Sequence, residues 1–434
     1  MRVAARDFDT EVPRDSEVVI IGAGLVGVCA AWFLAQRRIP VVVCEKGYVG
    51  AEQSTRALGW VRVTSRDPRD VALNLDSRRQ WAALTRQLGG TGYRTSGLVY
   101  TASTAAELHT YERWLFAVRD LAPGSRLIGA RETQELLPEC TARFGGALYT
   151  PEDGCAEPTQ AVIRIAEGAR QLGARIVTLC AARGLEREGG RVCGVVTERG
   201  TIRARAVLIA AGAWSGLLCR NENVELPLLA ASSYLLRTTP LIGHDICARH
   251  GVIGIRRNAD GGYTVGSLRS LFQVTPEAVR RLRQFWPTLK SRWSSTSLRL
   301  GARFFADWRR DRRWRLDEET PFERERVHDP GAAPWATQVW ESAQRLYPFF
   351  ERAAVVESWG GSVEITPDAL PVISAVDPVP GLFVATGFSG GGFGAAPAAG
   401  KLAAELITGS TPDVDPTPYR YRRFLEPASQ TPAA

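Results

Sequence analysis

Residues 18–45 read VVIIGAGLVGVCAAWFLAQRRIPVVVCE. Four apolar β-branched residues lead into Gly22, Gly24 and Gly27, and the run stays apolar to Ala35. After QRRIP a second apolar burst, VVVC, ends on Glu45, 18 residues beyond Gly27. The order is strand, glycine turn, helix, strand and acid, which is the pattern of a dinucleotide-binding unit. Gly22 permits the sharp turn. Gly24 lets backbone N–H groups, Leu25 and Val26 among them, approach a pyrophosphate, and Gly27 lets the helix pack close to the strand. The helix N-terminus turns its partial positive charge toward the phosphates, and Glu45 is spaced to accept hydrogen bonds from ribose hydroxyls. Val18–Ala35 is also a run of 18 uncharged residues with Arg2, Arg6 and Arg14 upstream. That suits a membrane span or signal peptide, but leaves the second strand and its acid unexplained.

Working outward, 434 residues with 45% hydrophobic content suffice for two domains. The net charge is +8, and all but Lys46, Lys290 and Lys401 of the 54 basic residues are arginine. Such usage points to genome composition rather than phosphate binding. It weakly permits nucleic acid, an anionic membrane or acidic substrates. Cys29, Cys44, Cys140, Cys155, Cys180, Cys193, Cys219 and Cys247 form no CxxC pair, so buried reduced thiols in a cytoplasmic protein are expected, with neither disulfides nor zinc.

Along the chain, residues 1–16 read as a loose lead-in. The stretch KGYVGAEQSTRALGWVRVTSRDPRD leaves the carboxyl end of the second strand as a loop. Asp67-Pro68 opens a helix closed by Gly89-Gly90, and Thr159–Gly173 has amphipathic helical spacing. AVLIAAGAW reads as a buried strand ending in Gly212. GVIGIRRNADGGYTVGS is a hairpin turning at Asn258–Gly262. SLRLGARFFADWRRDRRWR mixes basic and aromatic residues, read as a solvated helical face with Trp and Phe pointing inward rather than a nucleic-acid or membrane contact. AAVVESWGGSVEITPDALPVIS suggests two strands around a Gly-Gly turn. GLFVATGFSGGGFGAAPAAGKLAAELITG gives strand, glycine loop and helix, a second ligand-cradling geometry. The tail from Thr411 reads as loose.

Five motifs in this order, VVIIGAGLVG with Glu45, GAEQSTRALGWVR, AVLIAAGAWS, WGGSVEITPDALPVIS and GFSGGGFGAAPAAGKLAAELITG, give a resemblance over about residues 16–412. The chain resembles the FAD-dependent D-amino-acid oxidase and sarcosine oxidase superfamily, the glycine oxidase and D-amino-acid dehydrogenase-like group. The resemblance implies an α/β fold. A Rossmann-like FAD-binding domain of the glutathione-reductase type would be assembled from 16–66, 155–220 and 355–412. An α+β, mixed-sheet substrate domain would take 67–154 and 221–354, with 1–15 and 413–434 as loose termini. It implies FAD held by Gly22, Gly24, Leu25, Val26, Gly27, Glu45 and Lys46, and by Ser54, Thr55, Arg56 and Gly59 of the following loop. Ala182 would lie at the adenine, and Ala211, Gly212 and Trp214 at the phosphates and ribitol. Phe388, Ser389, Gly390, Gly391, Gly392 and Phe393 would face the flavin pyrimidine edge, where N–H groups and helix dipole stabilise negative charge on reduction.

The implied reaction is oxidation of a C–N bond of an amino acid or secondary amine. Hydride passes to flavin N5, and the resulting imine hydrolyses; O2 or another acceptor completes the cycle. Two departures from the family pattern stand out. Val363, followed by Glu364, occupies the place of a carboxylate-clamping arginine, and Gly391 the place of a histidine. The substrate candidates are therefore Arg62, Arg256 and Tyr263 for a carboxylate and Glu364 for an ammonium. Strand alternation sets Arg256 and Arg257 on opposite faces, and Trp60 and Trp359 are candidate walls. The shortage of lysines near the flavin leans toward a dehydrogenase or slow oxidase. The competing readings are an NAD(P)-dependent dehydrogenase, a non-catalytic flavoprotein subunit and a basic nucleic-acid binder. The expectation is a small amine or amino-acid substrate, without nucleic acid or integral membrane segment.

Overall fold

The computed structural model describes residues 8–425 except 292, 294, 295, 310, 311, 330 and 332–335. Its first sheet grows around Val18–Ile21, whose four residues are all buried. Val41–Cys44 and Ala206–Ile209 flank this strand in parallel, with Val18 opposite both Val41 and Ala206. Arg175–Val177 extends one side, and Leu382–Thr386 and then Val372–Ala375 the other, the last pair antiparallel. Continuous β-branched runs suit strands covered on both faces. The two faces are distinct. Val18 and Ile20 pack against helices Leu25–Gln36, Pro158–Gln171 and Gly392–Thr408. Val19 and Ile21 pack toward Leu185, Val192 and Val195 of a three-stranded antiparallel sheet. The long uncharged run is thus split between a strand and a 12-residue helix. Among the described residues no helix is long and apolar enough to cross a membrane.

The second sheet has nine strands. Its path runs from Val355–Ile365 through Leu229–Thr238, Tyr263–Gln273, Ile253–Arg257, Cys247–His250, Leu98–Ala102 and Gly146–Thr150 to Arg126–Gly129. Thr296–Arg299 pairs with Tyr263–Gln273 off this path. The architecture is mixed α/β, with one largely parallel and one largely antiparallel sheet. A small sheet of Trp60–Val61, Gly154–Cys155 and Arg94–Thr95 lies between them in the chain.

Four sequence expectations change. The WGG segment is no turn, because Val355–Ile365 runs unbroken through Gly360 and Gly361. That strand pairs with Leu229–Thr238 over ten residue pairs, so it belongs to the larger sheet rather than the cofactor layer. The ends are docked: Asp9 bridges Val177, and Tyr419 and Tyr421 are buried. Residues 1–7 and 426–434 lie outside the described residues. The basic aromatic stretch turns only part of its rings inward: Phe305 and Trp308 are exposed, while Trp314 packs against the core.

On its helical side the large sheet holds half-buried His244 among Tyr263, Tyr347 and Phe349, at ring distances of 5.6–6.2 Å. Burial lowers its pKa from 6.5 to about 4, against the hydrogen bond of Nδ1 with the Ile246 carbonyl. The folded protein therefore binds this proton less tightly than the unfolded chain. Stability from His244 is complete above pH 6.5 and is lost as pH falls toward 4, by up to about 3 kcal/mol. Urea unfolding at pH 7, 5 and 4 is expected to show a shallower pH dependence in His244→Asn; equal slopes would refute the assignment.

Candidate cofactor and substrate site

At the carboxyl edge of the parallel sheet the first glycine turn is closely packed. Gly22 has φ +108°, and a Cβ there would come 2.5 Å from the Ala210 carbonyl oxygen. A Cβ on Gly27 would lie 2.0 Å from the Gly22 carbonyl oxygen. The helix start supplies no side-chain cap of its own. Instead Ser54 Oγ, from the following loop, accepts the Leu25 N–H at 2.8 Å. This spends the hydroxyl as an acceptor and leaves its proton free for an anion. The first-turn amides of Val26 and Gly27 have no partner inside a helix by its geometry. Amides, dipole and hydroxyl together fit a pyrophosphate.

Glu45 stands where the ribose acid was expected. Its carboxylate accepts from the Ala23 and Gly47 amides, both at 2.8 Å. Burial pushes its pKa up, while those two amides and Lys46 oppose the rise. Its backbone carbonyl takes the Cys180 N–H at 2.8 Å, which brings Ala182, the first residue of Ala182–Glu188, to the same end. Lys46 Nζ donates to Glu52 at 2.7 Å and lies 4.4 Å from the Trp214 ring centroid. The donor types and the cradle fit an adenosine diphosphate moiety.

The far half of the site converges on Gln53, which the candidate set did not contain. Its side-chain oxygen accepts the Ala213 N–H at 2.9 Å. Its amide nitrogen donates to the Ser362 carbonyl at 3.1 Å and to the Glu364 carboxylate. Glu364 accepts from the Phe388 amide at 3.4 Å through its carboxylate and from the Ser389 amide at 3.0 Å through its carbonyl. Burial raises the Glu364 pKa, and the Gln53 amide resists it. One glutamine thus ties the Gly212–Trp214 turn, the Val355–Ile365 strand and the second glycine loop. Thr386 Oγ1 adds a bond to the Gly212 carbonyl at 3.1 Å. Positive φ at Gly387, Ser389 and Gly390 bends that loop into the helix starting at Gly392, and Phe393 is buried behind it. Glu364 is committed to this scaffold rather than presented to a substrate ammonium.

Thr55 Oγ1 donates to the Gly50 carbonyl at 2.7 Å. Arg56 is buried; its guanidinium donates to the Gly360 carbonyl at 3.1 Å and to Asp329 at 3.2 Å. Trp359 Nε1 donates to the Arg56 carbonyl at 3.3 Å. A Cβ on Gly361 would lie 3.1 Å from that of Arg56, which explains this glycine inside a strand. Gly59, at φ +89°, lies over Ala156 and Arg256. Arg256 is buried against Glu157 at 2.7 Å and the Ala156 carbonyl at 3.1 Å. It therefore ties the Ile253–Arg257 strand to the start of the Pro158–Gln171 helix.

Tyr263 leaves the candidate set, as strand alternation requires. It shares the face of Arg257, whose guanidinium pairs with Asp245 at 2.8 Å. Its hydroxyl donates to the His244 carbonyl at 2.5 Å, on the side away from Gly59. Arg62 does lie at the junction. It follows the Trp60–Val61 strand, donates to the Thr64 carbonyl and stacks 5.5 Å from Tyr100. The next residues are clamped by buried Asp153, also unforeseen, which accepts the Val63 and Thr64 amides at 2.9 and 3.0 Å. Beside Gly391 the departure from the family pattern is filled. A Cβ there would come 1.8 Å from the Arg66 guanidinium, which donates to the Gly391 carbonyl at 2.9 Å. No cluster of three metal-binding side chains occurs among the described residues.

Comparison with known proteins agrees with this layout. The family model "DAO: FAD dependent oxidoreductase" matches residues 17–406. The glycine oxidase of Pseudomonas putida is 27% identical over 93% of this chain and 97% of its own. The sarcosine oxidase subunit beta of an Arthrobacter species is 24% identical over 95% and 92%. Among solved structures, an L-amino acid deaminase from Proteus myxofaciens, in complex with anthranilate, gives a TM-score of 0.93 at 30% identity, covering 98% of this chain and 97% of that one.

Proposed function

Because this chain belongs to the FAD-dependent oxidoreductase family DAO, we propose that it oxidises the C–N bond of an L-α-amino acid. The carrying observation is the likeness to the L-amino acid deaminase, which extends over 98% of this chain at 30% identity and with a TM-score of 0.93. The products would be a 2-oxo acid and ammonia: two electrons leave as the amine becomes an imine, and water then replaces nitrogen. FAD, when bound, supplies the two-electron acceptor. Gly22, Gly24, Gly27, Ser54 and Glu45 would hold its pyrophosphate and ribose, with Lys46 and Ala182 at the nucleotide end. Ala211, Gly212, Trp214 and the Phe388–Phe393 loop would hold the rest. The parallel sheet, covered by helices on one face and by an inserted three-stranded antiparallel sheet on the other, supports a glutathione-reductase type of FAD domain. The helix beginning at Gly392 offers its positive end where charge develops.

Arg62 is the residue we assign to the substrate carboxylate; it is the junction arginine without a carboxylate partner among its described contacts. Lys46 is engaged with Glu52, Lys401 with Asp413, and Lys290 lies on an outer helix. That placement favours an acceptor other than O2, and the free cysteines suit a reducing compartment. A nicotinamide enzyme would leave the second glycine loop without a ligand and is not favoured. The test is anaerobic mixing of the purified holoprotein with L- and D-amino acids and N-methyl amino acids. L-Amino acids are expected to bleach the visible flavin absorbance and yield 2-oxo acid. Bleaching by D-amino or N-methyl amino acids alone would overturn the substrate assignment, and protein that cannot take up FAD would overturn the whole reading.

A further inference from the structure

Segment 320–329 lies in sequence between the basic aromatic stretch that ends at Arg315 and Trp340. In the fold it leaves that region and runs along the outer margin of the cofactor site. Thr320 caps the short Pro321–Arg324 helix, with Glu323 answering in a capping box. Glu323 then pairs with Arg183 at 2.9 and 3.0 Å, and Phe322 meets the Trp214 ring edge-on at 5.7 Å. Next, the carbonyls of Glu325 and Arg326 accept Lys46 Nζ at 2.7 and 3.0 Å. Arg326 returns a bond to the Lys46 carbonyl at 3.1 Å and clasps Glu198 with both terminal nitrogens. Glu198 in turn accepts the Ala181 amide at 2.7 Å. Farther on, the His328 amide donates to Glu52 at 3.0 Å, and Asp329 pairs with Arg56 at 3.2 Å.

Most of these anchors are cofactor candidates or their chain neighbours: Arg183 beside Ala182, Lys46, Arg56 and Trp214; Glu52 adjoins Gln53 of the same site, and Glu198 is one hydrogen bond from Ala181. They span the site from its nucleotide end to its flavin end. The fit is close, because a Cβ on Gly47 would lie 2.6 Å from the Arg326 carbonyl oxygen. The segment comes from the half of the chain that builds the large sheet, yet every partner named is in the other half or at the junction. Bidentate arginine–carboxylate pairing adds geometric definition to such a contact.

We propose that residues 320–329 are a strap that retains FAD, with Arg326 and Asp329 as its positioning residues at the two ends. This rests on the reading that the site holds FAD. Its action is on release: the cofactor cannot leave lengthwise until the Arg326–Glu198 and Asp329–Arg56 pairs open, so the strap sets the dissociation rate rather than the chemistry.

The experiment follows FAD fluorescence after dilution of holoprotein into excess flavin-binding competitor, for wild type, Arg326→Ala and Asp329→Ala. Unfolding temperature of the flavin-free proteins is measured in parallel. The expected result is release about tenfold faster for Arg326→Ala and several-fold faster for Asp329→Ala, in line with interface changes acting mainly on off-rates, with flavin-free unfolding unchanged. If Arg326→Ala does not fold, Asp329→Ala decides, since that carboxylate is exposed. Wild-type release rates in the variants overturn the strap and leave the FAD reading standing. Wild-type protein that takes up no FAD overturns the FAD reading itself, and the strap with it.

Discussion

Gly27→Ala is expected to purify with little or no flavin, its FAD affinity reduced on the order of 100-fold, or about 3 kcal/mol. The methyl group would sit 2.0 Å from the Gly22 carbonyl oxygen. That contact is backbone, so no side-chain rotation relieves it. Either the helix Leu25–Gln36 moves away from the strand or the turn at Gly22 opens. The turn is itself held, because Gly22 packs over the Ala210 carbonyl. The helix is the part that yields, and its movement separates Leu25 from Ser54 and withdraws the first-turn amides from the pyrophosphate. Flavin content after purification and a fluorescence titration with FAD measure the effect. Affinity within a factor of two of wild type would remove this turn from the cofactor site.

Asp153→Ala is expected to lower the unfolding free energy by roughly 3–5 kcal/mol, the range for leaving buried charged partners without their counterpart. The carboxylate is fully buried. It accepts the Val63 amide at 2.9 Å, the Thr64 amide at 3.0 Å and the Thr64 hydroxyl at 2.6 Å, with Arg78 at 3.3 Å. Alanine strands all of these donors, and Asn restores only part of the set because its amide NH2 cannot accept. Chemical denaturation of both variants checks the order, wild type above Asn above Ala. The loss also reaches the site, since Thr64 supplies the carbonyl that anchors Arg62. A raised KM for the amino acid is therefore expected in Asp153→Asn, and an unchanged KM would separate Arg62 from the carboxylate.

Much of the cofactor edge was legible because its demands are local. Gly22, Gly24 and Gly27 are set by one turn and one helix contact, and Glu45 by the length of a helix and a strand. The second glycine loop carried the same signal. What escaped reading depends on chain-distant partners. Gln53 is an ordinary loop glutamine until Ala213, Ser362 and Glu364 are folded around it, 160 to 311 residues away. Asp153 meets residues 63 and 64 across gaps of 90 and 89 residues. Two glycines in WGG were read as a turn because turns are the commonest use of such a pair. Here the strand runs through both, and Gly361 makes room for Arg56 from another segment. The hairpin arginines were correctly assigned to opposite faces by period-two alternation, but which face met the cofactor layer was a tertiary fact.

The helix Leu25–Gln36 has its closest neighbour in Gly392–Thr408, where a Cβ on Gly400 would lie 2.6 Å from the Ala30 amide nitrogen. These surfaces lie far apart in the chain. As it emerges, the strand Val18–Ile21 pairs with Val41–Cys44 on one side but waits for Ala206–Ile209 on the other, and the side of its helix that meets Gly392–Thr408 stays bare until that helix is out. Non-local pairing of this kind slows folding and exposes apolar surface meanwhile. The nucleotide site is therefore incomplete until that helix has emerged, and a ribosome stalled before it holds a chain whose first helix lacks one of its covering neighbours.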